Sequence, residues 1–274
     1  MTVIAGVVGW PITHSRSPLL HGYWIQQAGV DAAYLPFAVR PDGIETALRA
    51  LPALGIAGVN VTIPHKEAAL RVADSASAAA QAIGAANMIT VQHDGALFAD
   101  NSDAYGFRAH FEAATAQSFA VSGSVLILGA GGVARAAAYA LIEAGCDSVL
   151  ILNRTRRRAE LLADGRPTLR VVEPSDLQFV LPSVGVIVNA TSIGMGSDES
   201  PVDLTHAHSD AIVYDTVYTP LDTRLLRDAR ARGLRTVDGL GMLMHQACAG
   251  AKQWFGLDAA PDAKLRAILE RSLA

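Results

Sequence analysis

Cysteine, charge and long apolar runs are all scarce in this sequence, and each scarcity excludes a class of protein. The two cysteines, Cys146 and Cys248, lie far apart without motif spacing, which favours two buried free thiols in a reducing cytoplasm. Charged residues make up only 18% of the chain, and the net charge is −4. This balance indicates neither a nucleic-acid partner nor an acidic disordered tail.

No apolar run in the sequence is long enough to cross a membrane. The runs at 3–9 and 125–128 are far shorter than the ~20 residues that a membrane helix needs. The N-terminus also lacks the basic and long apolar regions of a signal peptide, so we expect a cytoplasmic protein without membrane contact. Of the 274 residues 51% are apolar, which is enough for one large domain or two ordinary ones.

The order of patterns along the chain predicts an α/β fold. Short β-rich runs alternate with alanine-rich amphipathic segments, which is typical of βαβ units and a mainly parallel sheet. Ser17 is predicted to cap the first helix, with Pro18 at its first position and Gly29 as its C-terminal stop. The predicted strands are 3–9, 34–39, 59–63, 87–92 and 96–99 (a hairpin), 125–128, 148–154, 169–172, 184–189, 212–217 and 235–237; the predicted helices include 17–27, 44–54, 66–73, 242–255 and 262–273. A boundary near residue 105, itself expected to be helical, separates two α/β domains.

A glycine-rich turn opens the second domain. Gly129-Ala130-Gly131-Gly132-Val133-Ala134 fits G-x-G-x-x-G/A, follows a predicted strand and begins a helix. Gly129 permits the tight turn, Gly131 lets the backbone approach a pyrophosphate, and Ala134 keeps the helix close to the sheet. The alternative is a tight turn that needs its glycines for geometry only. The context favours a dinucleotide site at the helix N-terminus.

The end of the next strand indicates which dinucleotide binds. NAD enzymes usually place a carboxylate there for the ribose 2′-hydroxyl, whereas this chain has Asn153-Arg154-Thr155-Arg156-Arg157-Arg158. Guanidinium groups match phosphate geometry, so the sequence predicts NADP. The alternative is a solvated basic helix start, although cations at a helix N-terminus oppose its dipole.

Polar residues follow the predicted strands of the first domain. Ser15 and Ser17 are two residues apart, so their hydroxyls could hold a small carboxylate beside a helix N-terminus. The plainer alternative is a turn residue and a helix cap. Lys66 and Asp103 could act together, with the ammonium exchanging a proton while the carboxylate orients it; a surface lysine is the alternative. His206 and His208 have no third ligand in sight, so we predict no metal.

These segments together make the sequence resemble the shikimate dehydrogenase family across nearly its whole length. The motifs are HSRSP at 14–18, NVTIPHK at 60–66, GAANM at 84–88, DNSD at 100–103, GAGGVA at 129–134, NRT at 153–155, NATSIGM at 189–195, YDTVYTPLDTRLL at 214–226 and DGLGMLMHQA at 238–247. The resemblance implies NADP-dependent, reversible reduction of 3-dehydroshikimate to shikimate in aromatic amino-acid synthesis. It also implies a substrate domain of residues 1–104 plus 240–274, to which the C-terminal helices return, and a Rossmann-like NADP domain of residues 105–239.

The resemblance implies a role for each matching residue. Lys66 would carry acid–base catalysis, with Asp103 as its partner. The substrate-binding residues would be Ser15 and Ser17 for the carboxylate, and Thr62, Asn87, Tyr218 and Gln246. The cofactor-binding residues would be Gly129, Ala130, Gly131, Gly132 and Val133 at the pyrophosphate, Asn153, Arg154, Thr155 and Arg158 at the adenosine phosphate, and Thr216 and Gly239 near the nicotinamide.

Several positions depart from the family pattern. Met88 and Ser102 stand where the family usually has threonine, Ala104 where it has glycine, and Thr216 where many members have an apolar residue. Quinate, an aminated shikimate analogue or another paralogue's substrate therefore stays open beside shikimate. A catalytically silent NADP-binding or regulatory protein is a further alternative. The sequence leaves the oligomeric state open, with a homodimer as one assembly.

Overall fold

A computed structural model describes residues 2–119 and 123–273, which form two six-stranded sheets flanked by helices. The strands are β1 (Val3–Gly9), β2 (Ala32–Ala38), β3 (Ile56–Val61), β4 (Ser75–Ala76), β5 (Met88–Val91), β6 (Leu97–Asp100), β7 (Ser124–Leu128), β8 (Val149–Leu152), β9 (Leu169–Val171), β10 (Val184–Asn189), β11 (Ile212–Asp215) and β12 (Arg235–Val237). The helices are α1 (Ser17–Ala28), α2 (Ile44–Ala50), α3 (Lys66–Val72), α4 (Ala78–Ile83), α5 (Asp103–Thr115), α6 (Gly132–Glu143), α7 (Arg156–Ala163), α8 (Leu177–Val180), α9 (Arg224–Ala231), α10 (Leu240–Phe255) and α11 (Ala263–Leu273).

The predicted α/β class is confirmed, and each predicted strand is present: β1, β10 and β12 have the predicted ends, and the other strands have shifted ends. The region near residue 105 is helical as expected, because α5 runs through it. Strand β4 and helices α4, α8 and α9 were not predicted from the sequence. The chain divides into two compact units, Met1–Gly106 with Leu243–Ser272 and Phe107–Met242 with Leu273–Ala274. None of the described helices combines the length and the apolar character needed to span a bilayer.

Two local predictions are wrong. Ser17 does not cap α1: the helix begins at Ser17, its N-cap residue is Arg16, and no side chain caps it. The Ser15 hydroxyl instead accepts a hydrogen bond from the Ser17 backbone N–H at 3.3 Å, which moves the start of the helix one residue earlier. Gly29 does end the helix, in the left-handed region at φ 63°. Cys146 is a buried free thiol as predicted, but Cys248 is only half-buried.

The first sheet has the order β2-β1-β3-β5-β6-β4. Strand β1 lies parallel between β2 and β3, and the predicted hairpin of β5 and β6 continues the sheet in antiparallel pairing. Alternate residues of β1 face opposite sides, as the pleat of a strand requires. Val8 packs with the α2 side chains Ile44 and Leu48, whereas Val7 packs with Trp254 of α10. Both faces of this sheet are therefore buried.

The second sheet is wholly parallel, with the order β9-β8-β7-β10-β11-β12. This is the strand order of a Rossmann fold, in which the direction of winding reverses between the first and fourth strands. Strand β7 is apolar throughout Val125–Leu128 and almost fully buried, as expected for a parallel strand covered on both faces. The loops after β7 and β10 diverge at this reversal, where such folds bind dinucleotides.

A histidine lies inside the apolar layer between the first sheet and α1. His21 is fully buried and stacks on Tyr34 with ring centroids 4.0 Å apart. Among the described residues, neither of its ring nitrogens has a hydrogen-bond partner. Burial disfavours the charged imidazolium and lowers the pKa of His21 to about 3. His21 is therefore a neutral packing residue in the native protein.

The burial of His21 predicts that the protein loses stability as the pH falls. The unfolded chain takes up a proton at His21 below the ordinary pKa of 6.5, but the native chain does so only near 3. Stability is therefore lost as the pH falls through this window, by about 2 kcal/mol at pH 5. We expect His21→Phe to reduce the loss of unfolding free energy between pH 7 and pH 5, measured by urea denaturation. His93→Phe, in the exposed hairpin turn, should retain the wild-type loss; equal losses in all three proteins would contradict this role.

Candidate active site

An ion pair in the first unit brings together two residues from different helices. Lys66 is the first residue of α3, which follows β3, and Asp103 is the first residue of α5, which follows β6. The Lys66 Nζ lies 2.5 Å from Asp103 Oδ2. The two side chains are only 15% and 7% exposed. A charged pair that is buried but still reached by solvent is an arrangement suited to proton exchange with a bound alcohol.

The side-chain amide of Asn87 holds the carboxylate of this pair. Asn87 Nδ2 donates to Asp103 Oδ1 at 2.8 Å, and Asn87 Oδ1 accepts from the Ser102 backbone N–H at 2.8 Å. Gln246 Oε1 lies 3.3 Å from the Ser102 hydroxyl and 3.4 Å from Asn87 Nδ2. Gly106 permits this approach, because a Cβ atom there would lie 2.6 Å from Gln246 Cβ. Asp103 is thus fixed from both sides of its carboxylate.

Two further polar residues, Asn60 and Tyr34, form a chain of hydrogen bonds to the Asn87 backbone. Asn60 Nδ2 donates to the Asn87 carbonyl at 3.2 Å, and Asn60 Oδ1 accepts from the Tyr34 hydroxyl at 2.6 Å. Burial raises the pKa of Tyr34 well above its usual value, an effect that the neighbouring Ser17 hydroxyl partly offsets, so the phenol stays a donor. Sequence reasoning missed both residues. Asn60 carried a signal, as an amide inside a buried β-branched strand, whereas Tyr34 carried none.

The other predicted substrate residues lie as follows. Ser15 is half-buried in the loop before α1, and Ser17 is buried at the first position of that helix. Thr62 follows β3, and its backbone N–H donates to the Val8 carbonyl at 2.9 Å. These residues follow β1 and β3, which are neighbours in the sheet. Tyr218 belongs to the second unit, in the loop after β11.

Two departures from the family pattern are changes in packing. Met88 is buried in the apolar cluster that contains Val7 and Trp254. Ala104 is buried on α5. Ser102 retains the hydroxyl of the usual threonine and uses it within the amide network. Of these three residues, Ser102 therefore places its side chain in the polar network beside Asp103, whereas Met88 and Ala104 are buried apolar residues.

The glycine turn of the second unit has the geometry of a phosphate-binding turn. Gly129 has a φ of +116°, and a Cβ atom there would lie 2.8 Å from the Ala190 carbonyl oxygen, so only glycine fits. A Cβ atom at Gly131 would meet nothing within 4 Å, which leaves the backbone open to a ligand. Helix α6 begins at Gly132, and Ala134 is fully buried against the sheet. Ala130 and Val133 complete the turn, whose helix N-terminus favours an anion.

The arginines after β8 fall into two groups. Arg156 Nε lies 2.8 Å from Glu160 Oε1, and Arg156 also pairs with Glu173. Arg154 and Arg158 are exposed, and no acidic side chain in the described ranges forms an ion pair with them. Two of the predicted phosphate ligands are therefore available, whereas Arg156 is already neutralised.

Asn153 and Thr155 shape the turn that carries these arginines. Asn153 Nδ2 donates to the Thr155 carbonyl at 2.8 Å, and Thr155 is the N-cap residue of α7. On the other half of the sheet, Gly239 packs against Thr216, since a Cβ atom at Gly239 would lie 2.4 Å from the Thr216 carbonyl oxygen. Within the described residues, no group of three histidine, cysteine or acidic side chains could hold a metal ion. Strand order, glycine turn and exposed arginines are the features of a dinucleotide-binding α/β protein.

Comparison with known proteins places this architecture in a family. The model of the shikimate dehydrogenase substrate binding domain matches residues 7–89, and that of shikimate / quinate 5-dehydrogenase matches residues 113–195. The shikimate dehydrogenase (NADP(+)) of Rhodospirillum rubrum is 46% identical over 272 residues, which cover 97% of this chain and 96% of that protein. The chain belongs to the shikimate dehydrogenase family, and the resemblance seen in its motifs is confirmed.

Solved structures share the whole fold. The shikimate 5-dehydrogenase from Thermus thermophilus, in complex with NADP(H) and shikimate, is 35% identical with a TM-score of 0.88, covering 100% of both chains. The quinate dehydrogenase from Corynebacterium glutamicum, in complex with NAD, is 32% identical with a TM-score of 0.88, covering 98% of both chains. The fold is thus common to relatives with different named substrates and cofactors.

The Tyr34–Asn60 hydrogen bond predicts a measurable loss of stability. Tyr34→Phe leaves a buried amide oxygen without its donor, which should lower the free energy of unfolding by about 1–3 kcal/mol. The matched control is Tyr23→Phe, because the Tyr23 hydroxyl donates to Asp262 at an exposed position, 3.0 Å away. Chemical denaturation measures the free energy of unfolding of both variants. Equal losses would contradict the prediction that the buried hydrogen bond stabilises the protein more than the exposed one.

Proposed function

We propose that this chain catalyses the reversible, NADP-dependent reduction of 3-dehydroshikimate to shikimate. The observation that carries the proposal is the sheltered Lys66–Asp103 ion pair, with Nζ and Oδ2 2.5 Å apart. The family membership supports the substrate class, and the exposed arginines after β8 support the cofactor. In this proposal residues 1–104 plus 240–274 form the substrate domain, and residues 105–239 form the NADP domain.

Lys66 is the acid and base of the proposed reaction. In the direction of reduction, its ammonium donates a proton to the oxygen of the substrate carbonyl as that oxygen gains negative charge. In the direction of oxidation, the amine accepts the proton of the substrate hydroxyl. Asp103 holds the ammonium in place, and Asn87 fixes the other carboxylate oxygen at 2.8 Å. The pair therefore keeps one orientation while the proton moves.

Polar groups of the first unit support binding of a small carboxylic acid. Ser15 and Ser17 lie at the N-terminus of α1, where the positive end of the helix dipole favours an anion, and their hydroxyls would bind the substrate carboxylate. Thr62, Asn87 and Gln246 offer hydroxyl and amide groups for the substrate hydroxyls, and Tyr218 stays a substrate residue predicted from the family motifs. A ring that carries one carboxylate and several hydroxyls matches this set of donors and acceptors.

Residues of the second unit fit a dinucleotide phosphate. Residues 129–133 would hold the pyrophosphate at the N-terminus of α6, and Arg154 and Arg158, with Asn153 and Thr155, would hold a 2′-phosphate. Thr216 and Gly239 would lie at the nicotinamide. When bound, the cofactor supplies the hydride chemistry, and the protein supplies its position.

Quinate is the second candidate substrate, because a quinate dehydrogenase shares this fold at a TM-score of 0.88. Rates with shikimate, quinate and an aminated shikimate analogue at fixed NADP concentration distinguish these substrates. Inactivity with all three, combined with intact NADP binding, would favour a silent regulatory protein. A homodimer and a cytoplasmic location stay predictions, the first of which sedimentation velocity would test.

Replacement of Lys66 tests the proposed proton transfer. We expect Lys66→Ala to lower kcat for shikimate oxidation by a factor of ~10² or more, since general acid–base catalysis contributes that much. Its dissociation constant for NADPH should not change. Lys252→Ala is the matched control, because this lysine is exposed on α10 and its one ion pair among the described residues is with exposed Asp258. Near-normal turnover of Lys66→Ala would remove the proposed mechanism.

Replacement of the arginines tests the proposed cofactor. We expect Arg158→Ala to raise KM for NADP about tenfold or more and to leave KM for NAD nearly unchanged, because only NADP carries the 2′-phosphate. Arg156→Ala should change neither constant much, since that guanidinium is paired with Glu160 and Glu173. A wild-type preference for NAD, or equal effects of both variants, would contradict the NADP assignment.

A further inference from the structure

A buried carboxylate in the second unit has no part in proton transfer or phosphate binding as proposed above. Asp215, the last residue of β11, is fully buried. It accepts hydrogen bonds from Asn189 Nδ2 at 2.9 Å, the Thr223 hydroxyl at 2.7 Å and the Val217 backbone N–H at 3.0 Å. No cationic side chain in the described ranges forms an ion pair with it. A buried carboxylate with only neutral donors is costly, which suggests a role that outweighs the cost.

The three donors connect Asp215 to the loops that follow β10 and β11. Asn189 ends β10, and its Oδ1 accepts from both the backbone N–H and the hydroxyl of Thr191, at 3.0 and 2.7 Å. Asn189 Nδ2 also donates to the Ile193 carbonyl at 3.1 Å. Thr223 closes the second loop and accepts from the Leu226 backbone N–H as the cap of α9. One carboxylate therefore organises residues 190–196 and 216–223.

These two loops adjoin the glycine turn on one side and Gly239 on the other. Ala190 donates its backbone N–H to the Leu128 carbonyl at 2.9 Å, and its own carbonyl lies against Gly129. Thr216 and Val217 carbonyls lie against Gly239. Asp215 is thus at the centre of a row of contacts along the carboxyl edge of the sheet, from the end of β7 to the end of β12.

The position of Asp215 in the sheet indicates which half of the cofactor would bind at these two loops. In a Rossmann fold each half of the sheet binds one mononucleotide of the dinucleotide. The basic residues that suit the adenosine phosphate follow β8, in the half formed by β7, β8 and β9. The loops organised by Asp215 belong to the half formed by β10, β11 and β12, which leaves the nicotinamide mononucleotide for them.

We propose that Asp215 is a positioning residue that holds residues 190–196 and 216–223 in the shape that receives the nicotinamide half of the cofactor. This inference rests on the proposed NADP site. Asp215 itself does not touch the cofactor, because its carboxylate is fully buried and engaged by three donors. Its replacement should therefore weaken binding of the nicotinamide half and leave binding of the adenosine half intact, whereas a general packing role would weaken both.

The experiment compares two ligands on the purified full-length chain by isothermal titration calorimetry. NADPH carries both halves of the cofactor, and adenosine 2′,5′-bisphosphate carries only the adenosine half with its 2′-phosphate. We expect Asp215→Asn, which turns a new N–H₂ group toward existing donors, to weaken NADPH binding tenfold or more. It should change the affinity for adenosine 2′,5′-bisphosphate by less than twofold.

Two milder substitutions keep the test informative if Asp215→Asn fails to fold. Thr223→Val removes one donor to the carboxylate at nearly constant volume and should weaken NADPH binding about threefold, again without an effect on adenosine 2′,5′-bisphosphate. Thr223→Ser restores the hydroxyl and should bind as wild type does.

The outcomes separate the positioning role from the cofactor assignment. Equal losses for both ligands, or unchanged NADPH affinity in the variants, would overturn the role of Asp215 while wild-type binding upheld the NADP site. A wild-type chain that binds neither ligand would overturn the NADP site and, with it, this inference.

Discussion

The ion pair between Lys66 and Asp103 is the constraint on which the rest of the first unit depends. Each residue begins a helix at the carboxyl end of a strand, so the pair forms only when β3 and β6 are correctly placed in one sheet. The pair is nearly buried, and a buried charge without a partner is strongly destabilising. The amide of Asn87 also holds the carboxylate, and Gln246 in turn contacts that amide.

The two units use buried polar residues in the same way. In the first, Tyr34 and Asn60 support the Asn87 backbone, and Asn87 supports Asp103. In the second, Asp215 supports Asn189 and the loops beside the glycine turn. In each unit, buried residues that do not contact the ligand hold in place the groups that are proposed to contact it. Such support keeps a reactive site within small geometric tolerances.

Much of this organisation could be predicted from the sequence, because its signals are local. The alternation of β-rich runs with alanine-rich segments identified the strands, and the glycines identified the turn around Gly129. The family motifs predicted that Lys66 and Asp103 act as a pair. The predicted cap of α1 was wrong because the Ser17 backbone N–H donates to the Ser15 hydroxyl and Ser17 is already helical, which propensity alone does not reveal. The Asp215 network could not be predicted, since its donors come from separate strands and loops. The direction of Met88, into an apolar cluster, likewise depends on strand pairing.

A double-mutant cycle on kcat for shikimate oxidation with NADP tests most directly whether Lys66 and Asp103 act as one unit. Residues that share a proton-transfer step are non-additive: once Lys66 is removed, its carboxylate partner has nothing to orient. Lys66→Ala combined with Asp103→Asn should therefore be scarcely slower than Lys66→Ala alone. If the two losses in kcat multiply, each residue acts independently, and the paired mechanism is contradicted.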